Sequence, residues 1–120
     1  MRKLLVVEDE PSLREAYALI LSTEPYIVHT AINGQDGLEK CRDVTYDLIL
    51  LDLMMPVLDG VGFLEQFMPL EMPTRVILLS NLSTGALLTK ALSLGAERNL
   101  LKADLSPRQL LAAVRYELNL

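Results

Sequence analysis

The stretch DLILLDLMMPVLDG, residues 47–60, sets the unbroken aliphatic run Leu48–Leu51 directly against an aspartate, Asp52. A short apolar run without polar alternation suits a strand covered on both faces, which is how strands of parallel sheets read. A carboxylate at the end of such a strand costs stability unless a cation meets it. The rest of the chain supplies candidates.

Comparable runs occur at KLLVV (3–7), YIVHTA (26–31), RVILL (75–79) and, more weakly, RNLL (98–101). Segments of helical period separate them. PSLREAYALILST opens with a proline suited to a first helical turn and spaces Leu13, Ala16, Tyr17, Ile20 and Leu21 along one face. GQDGLEKCRD and GVGFLEQFM are shorter helices, and STGALLTKALSLG ends on Gly95, suited to a helix C-terminus. SPRQLLAAVRYEL begins with Ser106 as cap and Pro107 as first helical residue. A β-α unit repeated five times predicts a doubly wound α/β domain, a five-stranded parallel sheet with five helices on both faces. At 120 residues and 51% hydrophobic content the chain is expected to form one domain, residues 1–120.

Composition narrows the function. The net charge is -5, and no Lys/Arg cluster is dense enough to neutralise several phosphates, so direct nucleic-acid binding is not expected. The single cysteine, Cys41, has no second Cys or His at ligand spacing, and its use fits a cytoplasmic protein. No run of about 18 apolar residues exists to span a membrane.

In a doubly wound sheet the binding crevice lies outside the carboxyl ends of the strands. Those ends carry Glu8 and Asp9, Asp52, Ser80 and Lys102, whereas strand two ends in AING, as suits an outer strand. Each residue has an ordinary structural use: an acid pair can cap the next helix, and a serine can shape a turn. Their coincidence at four strand ends argues for a shared site. Three close carboxylates repel one another and call for a hard divalent cation, for which Mg²⁺ is suited. Asp52 is then placed as a nucleophile toward phosphorus, with the Lys102 ammonium and the Ser80 hydroxyl as partners for the charge on the transferred group.

With these residues in place, the sequence resembles the receiver domain of bacterial two-component response regulators, along its whole length. The matching text is LLVVEDEPSLRE, DLILLDLMMPVLDG, VILLS, ALSLGA and the lysine of NLLKADLS, with D-x-x-M-P-x-x-D-G from Asp52 to Gly60 the most specific part. The resemblance implies a flavodoxin-like sheet of order 2-1-3-4-5. It implies that Asp52 accepts a phosphoryl group from a sensor histidine kinase or phosphotransfer protein, in a Mg²⁺-dependent reaction. Glu8 and Asp9 match the acidic pair, Asp9 as the direct metal ligand, and the backbone carbonyl of Met54 matches a further ligand. Ser80 and Lys102 match the family's hydroxyl and lysine, Pro56 and Gly60 the loop after the acceptor, and Asp59 is expected to shape that loop.

Three positions depart from the family pattern. Asn99 stands where an aromatic usually sits, three residues before the lysine, so the switch pair here is Ser80 and Asn99. Ala103 replaces a proline that follows a cis bond, leaving a trans peptide with a rearranged loop or a strained one. Asn81 replaces a small residue beside Ser80. Apolar Met54 and Leu82 flank the site and are unsuited to orienting an attacking water, which predicts slow self-dephosphorylation. His29 is expected to be an ordinary strand residue.

The leading expectation is a phosphorylation switch that alters affinity for an output domain or partner protein. The leucines of the fourth helix leave room for a homodimer through the last helices. The alternative is a receiver that binds partners without phosphorylation, favoured by Asn81, Asn99 and Ala103. Two enzyme readings are weaker. Met54 stands where a phosphohydrolase would use a second acid, and EDEP after strand one repels the phosphate of a flavin.

Overall fold

The computed structural model describes residues 1–119, so Leu120, the last residue of the expected 1–120 unit, lies outside the described residues. Each apolar run forms a strand: β1 (Lys3–Val7), β2 (Ile27–Ala31), β3 (Leu48–Asp52), β4 (Arg75–Ser80) and β5 (Arg98–Leu101). They alternate with α1 (Pro11–Leu21), α2 (Gly34–Asp43), α3 (Gly60–Phe67), α4 (Ala86–Ser93) and α5 (Pro107–Glu117). All strand pairs are parallel, in the order β2-β1-β3-β4-β5. This is the expected doubly wound, flavodoxin-like arrangement.

Strand alternation divides the core into two layers. Leu4, Val6, Leu48, Leu50, Ile77, Leu79 and Leu100 pack with Tyr17 and Leu21 of α1 and Leu110 and Val114 of α5. Leu5, Val7, Ile49, Leu51, Val76 and Leu78 face the other way, against Phe63 and Leu64 of α3 and Leu88 and Ala91 of α4. With both faces covered, the three central strands can be continuously apolar. The outer β2 is only half-buried, and there His29 Nδ1 lies 2.8 Å from the Tyr46 hydroxyl, an ordinary strand contact as expected.

Helix ends follow local chemistry with two departures from expectation. Ser106 and Gln109 form a reciprocal capping box ahead of α5, with Pro107 at the first turn. Gly95 has φ of 114°, and the bonds Ala96 N–H to Ala91 O and Gly95 N–H to Leu92 O close α4 in the glycine-terminated manner. The same helix starts later than expected, at Ala86. Gly85, at φ 113°, begins it without a side-chain cap, and Ser83 and Thr84 fall in the loop. The second departure is at α1, whose Ala16 lies exposed off the buried stripe.

The Leu-rich character of α4 is mostly a core feature. Leu88 and Ala91 are buried, Leu87 and Leu94 pack against that layer, and only Leu92 is left as an exposed leucine on the helix. The surface expected there for pairing with another protomer is therefore narrower than the sequence suggests.

Candidate phosphoacceptor site

Parallel register delivers the acids to one another. Val7 pairs with Leu51, so Glu8 emerges from β1 beside Asp52, the last residue of β3. Carboxylate oxygens of Glu8, Asp9 and Asp52 all lie within 4.8 Å of one another. Lys102, at the end of β5, reaches across the edge of the sheet: its Nζ is 2.6 Å from Glu8 Oε1 and 3.0 Å from Asp52 Oδ1. Glu8 is fully buried and Asp52 is 4% exposed, so the ammonium supplies the counter-charge that water cannot. This is the cation that Asp52 needs at the end of an apolar strand.

Burial, and then the Glu8 carboxylate beside it, push Asp52 up to about 7, against the opposing pull of Lys102. Lys102 is raised: burial works against its charge, but the Glu8 and Asp52 carboxylates outweigh it. Asp52 is thus a carboxyl poised near neutrality and short of positive charge.

The donor set fits Mg²⁺. Three hard carboxylates converge, and Glu8 Oε1 is a buried oxygen 2.6 Å from the Lys102 ammonium. Mg²⁺ takes oxygen ligands at about 2.1 Å, and carboxylates grouped this closely would be within reach of a single ion. Asp9 is partly exposed and lies at the mouth of the cluster. Met54 follows at the rim, its amide 3.4 Å from Asp52 Oδ1 and its side chain 64% exposed.

The ordinary use open to Glu8 and Asp9, capping the next helix, falls instead to Glu10, whose carboxylate accepts from the amides of Ser12 and Leu13. Hydrogen bonds from Ser12 and Leu13 also hold the Glu10 carboxyl below its ordinary range. Pro11 at the first turn was the available signal, because the residue before such a proline is the cap position. Arg14 is a second residue that sequence reasoning passed over. Its guanidinium donates to the carbonyls of Glu8 (3.0 Å) and Asp9 (3.3 Å) and so ties down the backbone that carries both acids.

The loop after the acceptor is built for close approach. A Cβ on Gly60 would stand 2.8 Å from both the Asp52 carbonyl oxygen and Leu53 Cα, so only glycine lets α3 begin against the end of β3. Asp59 caps α3 by accepting from the Gly62 amide, the loop-shaping role expected of it.

Ser80 stands apart from the acid cluster in its bonding. Its hydroxyl lies 2.8 Å from Asn99 Oδ1 and 3.1 Å from the Leu82 carbonyl, and its oxygen accepts from the Leu82 amide at 3.2 Å. Asn99 Nδ2 in turn donates to the Leu82 carbonyl at 2.8 Å. Asn81 is exposed and Leu82 half-buried. Among the described residues no peptide is cis, so the Lys102–Ala103 bond is trans, and Lys102–Asp104 form a single 3₁₀ turn.

A flavodoxin-like sheet with an acid cluster and a lysine at its carboxyl edge defines a class of α/β domains with a cation-ready site, and comparison with known proteins narrows the class. Residues 4–115 match the response regulator receiver domain family. A protein-glutamate methylesterase/protein-glutamine glutaminase of Methanosarcina mazei is 44% identical over 86 residues, covering 70% of this chain and 23% of its own length. The chemotaxis protein CheY of Treponema pallidum is 34% identical over 103 residues, covering 83% of this chain and 72% of its own. The crystal structure of a CheY-like receiver domain protein from Methanospirillum hungatei superposes with a TM-score of 0.92 at 25% identity, covering 99% of this chain and 94% of that one. The chain belongs to the response regulator receiver domain family of two-component signalling. It spans less than a quarter of the methylesterase relative. No described helix is long and apolar enough to cross a membrane.

Proposed function

We propose that residues 1–120 act as a phosphoacceptor switch, with Asp52 taking a phosphoryl group from a histidine kinase or phosphotransfer protein in the cytoplasm. The observation that carries this reading is the buried Asp52 carboxylate, 3.0 Å from Lys102 and grouped with Glu8 and Asp9. An Asp52 oxygen attacks phosphorus, and the bond from phosphorus to the donor nitrogen breaks with its electron pair leaving on the imidazole. Glu8, Asp9, Asp52 and the Met54 carbonyl would hold Mg²⁺, which supplies charge neutralisation to the phosphoryl oxygens. Lys102 leaves its bridge between two carboxylates and pairs with the new phosphoryl charge, and Ser80 donates its hydroxyl to it. The domain catalyses its own phosphorylation and hydrolysis and acts on an output domain or partner protein through the change in its surface.

Incubation with Mg²⁺ and acetyl phosphate, followed by intact-mass measurement, is expected to add one phosphoryl group to the parent and none to Asp52→Asn. An unmodified parent that is folded and binds Mg²⁺ would remove the reading. The exposed, apolar Met54 side chain supports a long-lived phosphoryl state, because nothing at that position orients a water. Met54→Asn is expected to shorten the lifetime several-fold at unchanged labelling rate, and an equal lifetime would count against the idea.

One observation favours a second reading, a receiver that works without phosphorylation. The Ser80 hydroxyl is already engaged by Asn99 and Leu82, so the ground state is a closed set of bonds. The same labelling experiment decides between the two.

A further inference from the structure

The Ser80 and Asn99 contacts form a closed ring with directions that can be assigned. Leu82 O accepts, so the Asn99 group facing it at 2.8 Å is the amide NH₂. Asn99 Oδ1 is then turned toward Ser80, and it takes the hydroxyl proton at 2.8 Å in preference to the longer contact with Leu82 O at 3.1 Å. The Leu82 N–H closes the ring onto Ser80 Oγ. Strand register explains why these residues meet. Asn99 pairs with Leu78, and Ser80 lies two residues farther along the same face of β4, so the two side chains are diagonal neighbours.

We propose that Asn99 is a positioning residue that holds the Ser80 proton, together with Leu82 and the loop leading to α4, in the unphosphorylated arrangement, competing directly with the phosphoryl group for that proton. A hydroxyl has one proton to give. While Asn99 Oδ1 holds it, a phosphoryl oxygen on Asp52 goes without it. When the phosphoryl group takes it, the half-buried Asn99 carbonyl loses its donor, and the Ser80–Asn99–Leu82 ring opens at that bond. Charge on the acceptor is thereby transmitted to the β4–α4 loop by exchange of hydrogen bonds. This inference rests on the phosphoacceptor reading above.

The test is calorimetric or NMR titration with Mg²⁺ and beryllium trifluoride, which adds to a carboxylate oxygen as a tetrahedral stand-in for a phosphoryl group. Asn99→Leu keeps the size of the side chain and removes both hydrogen bonds; Asn99→Ala serves as a second variant should the leucine disturb folding. Either change is expected to tighten beryllium trifluoride binding by about fivefold to tenfold, the factor one net hydrogen bond commands. In a Ser80→Ala background the gain is expected to vanish, which a purely structural effect of Asn99 would not produce. Tight binding by the parent with no gain in either Asn99 variant, or a gain that persists without Ser80, overturns the latch and leaves Asp52 as acceptor. Absence of binding to the folded, Mg²⁺-bound parent overturns the acceptor reading and the latch with it.

Discussion

Lys102→Met in metal-free buffer at about pH 8 is expected to lower unfolding stability by about 3 kcal/mol, within the range for removing one partner of a buried ion pair. The reason lies in the geometry: the ammonium is the shared neighbour of Glu8 and Asp52, at 2.6 Å and 3.0 Å, and both carboxylates are buried. Without it, two like charges face each other out of water. Their remedy is for the pair to keep a proton, which becomes harder as pH rises. The loss is therefore expected to shrink at about pH 5, where Asp52 is already protonated. Urea titrations at the two pH values measure it, and an equal loss at both would show that Lys102 contributes packing rather than charge. The same variant is expected to accept phosphoryl groups at least about a hundredfold more slowly, as for loss of an electrostatic partner in a buried site.

The parent itself should show a second large effect. The carboxyl of Asp52 is raised from 3.8 to about 7, so between those values the folded chain binds more protons than the unfolded chain. Stability then falls as pH rises through that window, by on the order of 4 kcal/mol in the absence of metal. The raised Lys102 does not offset this, because its contribution is retained until pH exceeds its ordinary value near 10.5. A divalent ion binds the charged carboxylates and must displace the proton. Mg²⁺ affinity is therefore expected to rise up to about tenfold per pH unit below 7 and to level above it. Chemical denaturation with and without Mg²⁺ across this range would reveal both trends. A pH-independent Mg²⁺ affinity between about pH 5 and 7 would mean that Asp52 is ionised throughout, contrary to its burial beside Glu8.

The sheet was legible in the sequence because its central strands are covered on both faces, and Leu48–Leu51 and Val76–Leu79 show this as continuous apolar text. The grouping of Glu8, Asp9, Asp52 and Lys102 was legible for a related reason, since the end of each apolar run marks the edge where a site forms. What remained hidden depends on direction and pairing. Composition at Ser83–Gly85 reads as a helix start, but the positive φ of Gly85 delays α4 to Ala86. The leucines of α4 look scattered until the chain curls them over the second core layer. Asn99 reads as a missing aromatic. Only the β4–β5 register shows that its amide faces Ser80.

Glu10 gives the acidic edge one more property. Because it caps the start of α1, neither Glu8 nor Asp9 has to supply the anion for that helix end. The site is tied to α1 through Arg14 on the Glu8 and Asp9 carbonyls and through the Glu10 amide on Glu8 Oε2, but not through the cap: its charge can be titrated, neutralised by an ion or rearranged by a phosphoryl group while the first turn of α1 keeps its own anion. Substitutions that retune metal preference at Asp9 would then leave α1 intact, so this corner of the surface can diverge between relatives without a matching change in the core.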